Sequence, residues 1–404
     1  MKYDFESIME RQGMDAIAVD SLGQGDPSFT PAHPEEGFDI IPMWVADMNF
    51  PTCPAIPQAV IARAQHPAYG YFDIRKEYYD EIIKWHETRN NVTGLSAKHI
   101  GYENGVLGGV LSALAVTCSR GDNVLLHSPT YIGFTGSLKN CGYNIILSQL
   151  QKDVDGIWRM DLKDMEDKIK RHNIHAAIFC SPHNPCGRVW TEDEILQFTE
   201  LCRKNDITII SDEIWSDMIL FGNKHIPTQS VSEDARQRTI ALYAPSKTFN
   251  LAGLIGSYHI IYNDRLRERV RKESSLSHYN NINLLSMYAL IGAYSPEGYE
   301  WVDELLEVLG QNIDYACEFI KDNFPGLDVS RPEGTYMLFV DCTQYCEKTG
   351  RSLDDVLRSA WRVGVAVQDG RPFHGPCHIR VNLALPLSRV KEAFDRLKRY
   401  VFVD

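Results

Sequence analysis

The sequence predicts an α/β fold, with a large domain built on a mostly parallel central sheet covered by helices and a smaller α/β domain after it. Three observations lead there. From about Pro54 to Ile261 helical patterns alternate with short β-rich runs, the signature of a parallel sheet wrapped by helices. Most of these runs are apolar at every position, as strands buried on both faces are. After Pro296 the pattern changes to one long helical stretch and then to strands mixed with short helices.

Taken in order, a short segment at 100–102 (IGY) leads into 104–109 (NGVLGG), where glycines open a helical stretch. The runs at 122–127 (DNVLLH), 176–180 (AAIFC), 208–211 (TIIS) and 239–243 (TIALY) are rich in β-branched and other apolar residues and read as strands of the large sheet. Ligands are expected at the C-terminal ends of such strands. The helix from Pro296 runs to about Phe324, where Pro325 and Gly326 stop it. Candidate strands of the second domain are 334–341 (GTYMLFVD), 363–367 (VGVAV) and 378–382 (HIRVN), before a terminal helix from Ser388. The expected division is an N-terminal arm and part of the small domain at 1–50, a large domain at 51–292, and a small C-terminal domain at 293–404.

Bulk properties narrow the function. The 404 residues suffice for two or three compact units. A formal charge of -13 would repel a phosphate backbone, and no run of Lys and Arg interleaved with aromatics offsets it, so no nucleic-acid partner is expected. Apolar runs fall short of the roughly 18 residues of a membrane span. The first six residues, MKYDFE, carry acidic groups where a secretory signal needs apolar ones, and a cytoplasmic protein is expected. Ten cysteines without a CxxC pair and thirteen histidines without an HExxH pattern point to reduced, mostly buried thiols and no structural metal.

The loops after successive strands hold Asn184 in 181–189 (SPHNPCGRV), Asp212 in 211–217 (SDEIWSD) and Lys247 in 245–253 (PSKTFNLAG), which brings all three to one end of the sheet. Alone, each has a local explanation, because Asn-Pro starts a turn, Asp after a strand caps a helix, and a Ser-Lys pair is common at surfaces. Their order and placement together resemble the pyridoxal-phosphate signature of class I/II aminotransferases, the fold-type I enzymes. The stretches 46–51 (ADMNFP), 69–71 (YGY), 181–189, 211–217 and 246–250 (SKTFN) are similar to the cystathionine β-lyase, or carbon-sulfur β-lyase, branch, and the resemblance covers nearly the whole chain.

This resemblance implies pyridoxal 5'-phosphate, a small amino-acid substrate and a homodimer. Lys247 would carry the cofactor as a Schiff base and later take the substrate's α-proton. Asp212 would pair with the pyridine nitrogen and keep it protonated. Asn184 would donate to the ring's 3'-oxygen, and Tyr131 in 128–134 (SPTYIGF) would lie on the ring face or else be an ordinary core tyrosine. The phosphate would rest on Gly105, Val106 and Leu107 at a helix start, with a hydroxyl contact from Ser246. Tyr71 would reach the phosphate of the neighbouring subunit, or else serve a local turn. Arg380 would grip the α-carboxylate with two parallel hydrogen bonds.

The chain also departs from the family. Ile255 stands eight residues after Lys247, where many class I aminotransferases place a phosphate-binding arginine, and the lyase branch tends to lack it. Trp215 takes a position that holds tyrosine in aminotransferases and often histidine in the lyases. An indole N–H can donate but not accept, so cofactor donor and pocket wall both stay open for it. Asn49 replaces the second acidic residue of the branch's Asp-Met-Asp-Phe pattern. Three functions follow: β-elimination from cystathionine or a related cysteine S-conjugate as the main expectation, transamination between an amino acid and a keto acid as the alternative, and a regulatory binding protein that keeps the cofactor fold as the third. Walls of the pocket are expected from loops near Trp44, Trp215 and Tyr336.

Overall fold

The computed structural model describes residues 1–24, 30–277 and 280–403, and among them seven strands form the sheet of the larger of two units, Thr52–His183 with Arg188–Asp303. These are β1 (Ile100–Glu103), β2 (Asn123–Ser128), β3 (Asn144–Gln149), β4 (Ala176–Cys180), β5 (Thr208–Asp212), β6 (Thr239–Tyr243) and β7 (Ser257–Ile260), in the order β1-β7-β6-β5-β4-β2-β3. Every residue of β4 and β6 is buried, as their unbroken apolar runs require. Val110 and Leu114 of the helix Val106–Thr117 form one core with strand residues such as Leu126, Ile178, Ile210 and Leu242.

Strand pairings from β3 through β2, β4 and β5 to β6 are parallel. β7 is antiparallel to both β6 and β1, so β1 runs the same way as the parallel set. The C-terminal ends of β1, β2, β4, β5 and β6 therefore share one edge of the sheet, where Asp212 ends β5 and the segments after β1, β2 and β6 carry Gly105, Tyr131 and Lys247.

The smaller unit comprises Met1–Pro51, Asn184–Gly187 and Glu304–Asp404. Its five-stranded sheet runs Ile41–Met43, Val365–Asp369, His378–Asn382, Met337–Asp341, Asp328–Val329, with the first pair parallel and the rest antiparallel. The terminal helix Leu387–Tyr400 buries Val390, Ala393, Phe394 and Leu397.

The partition differs from the one expected at 292/293. It falls after Asp303, inside the helix Pro296–Asn323, and takes residues 184–187 into the smaller unit. Two strands also start later than their apolar runs. Glu333 and Gly334 donate their amides to the Gly187 carbonyl, at 2.8 and 3.0 Å, and Thr335 has φ +67°, so strand geometry begins only at Met337. Gly364, at φ +79°, closes the helix Leu353–Arg362 by donating to the Trp361 carbonyl, and the strand begins at Val365. Among the described residues no helix is long and apolar enough to cross a membrane.

Candidate active site

The turn after β1 opens a helix. Gly105, at φ +78°, is the N-cap of the helix Val106–Thr117, a conformation that suits glycine. The first-turn amides of a helix lack intrahelical acceptors and point along its positive end. Of the three amides expected to hold phosphate, that of Gly105 is already engaged, donating to the Glu103 carbonyl at 3.0 Å. The amides of Val106 and Leu107 open the helix proper. Ile255 stands beside the turn, its Cγ2 3.8 Å from where a side chain on Gly105 would begin.

A buried cluster missed by the sequence reading secures this turn. The Glu103 carboxylate pairs with Nδ1 of His259 at 2.6 Å and accepts from Ser112 Oγ at 3.1 Å and Asn280 Nδ2 at 2.8 Å. Ser112 lies on the helix Val106–Thr117 itself, so one carboxylate ties β1, β7 and that helix together.

Tyr131 is the N-cap of the helix Ile132–Asn140 and is partly buried. Its ring lies against Gly133, where a side-chain carbon would stand 2.3 Å from the ring's Cε1, and it meets Phe134 edge-on at 5.4 Å. The glycine is what leaves room for the ring there.

Asp212 ends β5 and is 4% exposed, with the Ile214 amide donating to its Oδ1 at 3.1 Å. Burial pushes its carboxyl up to about 7; the amide of Ile214 and the charge of Lys247 oppose that rise, and neighbouring Glu213 adds to it. Such a group calls for a cationic partner. Glu213, also buried, behaves oppositely. Burial alone would raise it, but bonds from His225 at 2.7 Å, Tyr243 OH at 2.6 Å and Ser211 Oγ at 2.8 Å outweigh that and hold it below the usual range.

Lys247 lies in the turn after β6, and its Nζ is 5.8 Å from the centroid of the buried Trp215 ring. Trp215 is thus a wall beside the amine, in cation–π range. The loop is fixed on both sides of the lysine. The Ser246 carbonyl accepts from the Leu251 amide at 3.0 Å, and Thr248 Oγ1 donates to Asp217 Oδ2 at 2.8 Å. Asp217 also accepts from Trp85 Nε1 at 2.9 Å, and Phe249 packs within 6 Å of both Trp85 and Trp301.

Seven residues named from sequence, Gly105, Val106, Leu107, Tyr131, Asp212, Ser246 and Lys247, thus lie at the end of a strand or in the segment after one, along one edge of the larger unit's sheet. Tyr71 joins none of them in the single chain. Its side chain is fully exposed, between the helices Ala55–Ala64 and Lys76–Asn90.

Asn184 and Arg380 belong to the smaller unit. Arg380, 3% exposed, donates from Nη2 to the Trp44 carbonyl at 3.0 Å and to Gln368 Oε1, and from Nη1 to Asn184 Oδ1 at 3.4 Å. Its Cζ stands 4.2 Å from the Phe373 ring centroid. Asn49 is buried and, with Asp47, holds Arg11, whose Nη1 reaches Asn49 Oδ1 at 2.8 Å and whose Nη2 reaches Asp47 Oδ2 at 2.5 Å. Tyr336 is fully buried and donates to the Ala46 carbonyl at 3.2 Å.

Comparison with known proteins bears on this arrangement. Residues 39–397 match the family model "Aminotransferase class I and II". The chain is 31% identical to cystathionine beta-lyase PatB of Bacillus subtilis, over 89% of this chain and 92% of that protein. Among solved structures, the PLP-bound C-S lyase of Staphylococcus hominis superposes with a TM-score of 0.89 at 28% identity, covering 100% of this chain and 99% of that one. Cystalysin of Treponema denticola, which contains a pyridoxal 5'-phosphate cofactor, gives 0.89 at 29% identity over 99% and 98%.

Proposed function

Because this chain belongs to the aminotransferase class I and II family, we propose that it is a pyridoxal-phosphate enzyme that cleaves the Cβ–S bond of cystathionine or a related cysteine S-conjugate. Overall, the thioether amino acid and water give a thiol, pyruvate and ammonium. The observation that carries the reading is the buried Asp212 carboxyl, raised to about 7 at the same sheet edge as an amine and a helix N-terminus.

The residues present fit the cofactor. Asp212 supplies an anion in want of a cationic partner, which a protonated pyridine nitrogen provides. The Val106 and Leu107 amides, with the Ser246 hydroxyl, suit a phosphate, and Tyr131 offers a flat face. When bound, pyridoxal phosphate supplies an electrophilic aldehyde carbon and a ring that withdraws electrons from the substrate's Cα. Lys247 is the covalent anchor, and its Nζ, once released, takes the proton from Cα. Asp212 keeps the proton on the pyridine nitrogen. Arg380 is assigned the substrate's α-carboxylate and Asn184 the ring's 3'-oxygen. The wall at Trp215 limits water around the Lys247 amine, where a stray proton source would compete.

Ile255 agrees with the lyase reading, because the phosphate-binding arginine of many aminotransferases is missing there. Transamination is the second reading, favoured by the family's own description. Incubation with cystathionine separates the two. Rapid release of pyruvate and a thiol supports elimination, while a keto acid formed in step with an added amino acceptor, and only then, defeats it.

We further propose a homodimer in which Tyr71, exposed in the single chain, completes the phosphate site of a second copy. Tyr71→Phe should then raise the cofactor's dissociation constant several-fold without changing the sedimentation coefficient. None of the ten cysteines is joined in a disulfide, which suits the reducing cytoplasm proposed as its location.

The Tyr131 platform gives a separate expectation. Gly133→Ala puts a methyl into the space the ring occupies, so cofactor affinity should fall by up to about tenfold, the worth of a displaced aromatic contact. Absorbance titration of the cofactor-free protein measures it, and an unchanged affinity would remove Tyr131 from the site.

A further inference from the structure

We propose that Gln368 is a positioning residue that sets the preference of this site for substrates bearing an α-carboxylate, by holding the guanidinium of Arg380 in place. The inference rests on the assignment of Arg380 to that carboxylate. Gln368 and Arg380 are directly opposed in the antiparallel pair Val365–Asp369 and His378–Asn382, so their side chains leave the sheet on one face. Both are almost fully buried, and Gln368 Oε1 accepts from Arg380 Nη2.

The rest of the cradle is built around the same hairpin. Asp369 accepts from the Arg371 amide at 2.8 Å and from the Arg371 guanidinium, and the short turn Arg371–Phe373 that this fixes sets the Phe373 ring 4.2 Å from the Arg380 Cζ. The ring packs against the guanidinium, and the Gln368 amide oxygen and the Trp44 carbonyl both accept from its Nη2. Gln368, Trp44 and Asn184 are neutral acceptors. They orient the fork without adding a negative charge that would compete with an incoming carboxylate. A glutamate at 368 would be similar in shape and would supply that competing charge. An apolar residue of similar length would leave the fork unheld on that side.

Two probes isolate the effect in the holoenzyme: S-methylcysteine, and 2-(methylthio)ethylamine, which has the same amine and thioether but no carboxylate. Gln368→Met should raise KM for S-methylcysteine roughly tenfold, the worth of one hydrogen bond to a charged group, with kcat within about twofold. The dissociation constant of the amine should not move. Gln368→Glu should raise that KM further, by roughly a hundredfold, because a buried carboxylate then competes for the guanidinium. Equal losses for both probes would mean only general damage to the fold and would overturn the proposal, as would an unchanged or lowered KM in Gln368→Met. Arg380→Lys is the control. If it raises KM for S-methylcysteine while the Gln368 variants do not, the positioning role fails and the assignment of Arg380 stands. If it leaves KM unchanged, the assignment of Arg380 itself falls.

Discussion

Replacing Lys247 by alanine should leave a folded protein that no longer retains cofactor after borohydride reduction and turns over at least about 10³-fold more slowly, because anchor and proton acceptor are lost together. The fold should survive, since the loop is held by its neighbours rather than by the lysine. Thr248 binds Asp217, and Phe249 sits among Trp85 and Trp301. Mass spectrometry of the reduced protein and a thermal melt test the two halves of this expectation. Reduced cofactor still attached to the Lys247→Ala chain would place the anchor elsewhere. The collapse of the fold would mean that the amine is structural.

Asp212→Asn should have effects of opposite sign on turnover and on stability. The holoenzyme should lose roughly 10²- to 10³-fold in kcat, because a neutral amide cannot hold a positive charge on the pyridine nitrogen. The cofactor-free protein should become more stable. The Asp212 carboxyl titrates at about 7 in the fold against an ordinary 3.8, so between those values the folded state binds more protons than the unfolded one. Stability of the wild type therefore falls as pH rises through that window, and the loss is complete above it. Asparagine carries no such cost. Its advantage should be nil below pH 4 and grow to at most about 4 kcal/mol above pH 7. Denaturant unfolding of both cofactor-free proteins at pH 5 and pH 8 measures the difference. A wild type that is the more stable of the two at pH 8 would refute the account of Asp212 as a buried anion awaiting its partner.

Much of the fold was legible because its signals are local. Unbroken apolar runs at 176–180 and 239–243 match β4 and β6, and 378–382 matches a strand of the smaller sheet. Where the run and the strand disagree, backbone conformation decided. Gly364 and Thr335 adopt positive φ, and their neighbours spend amides on partners outside the ladder. The apolar pattern along the chain carries no sign of either. The partition inside the helix Pro296–Asn323 was invisible for a similar reason, since a continuous helical pattern carries no mark of the point at which its contacts change.

The site divides along the same line. By itself the sequence determined the residue types and their order after the strands, a parallel sheet implied that the ends of those strands meet at one edge, and the resemblance to the family signature is what named Lys247, Asp212 and the helix opening at Gly105. Tertiary structure alone decided what surrounds them. Gln368 faces Arg380 through strand register, Glu103 is tied to His259 across 156 positions, and Asp212 is buried deeply enough to shift its proton affinity. Periodicity and turn chemistry act over a few residues and can be read along the chain, whereas burial and hydrogen bonding between distant neutral or oppositely charged groups exist only once the chain has closed on itself.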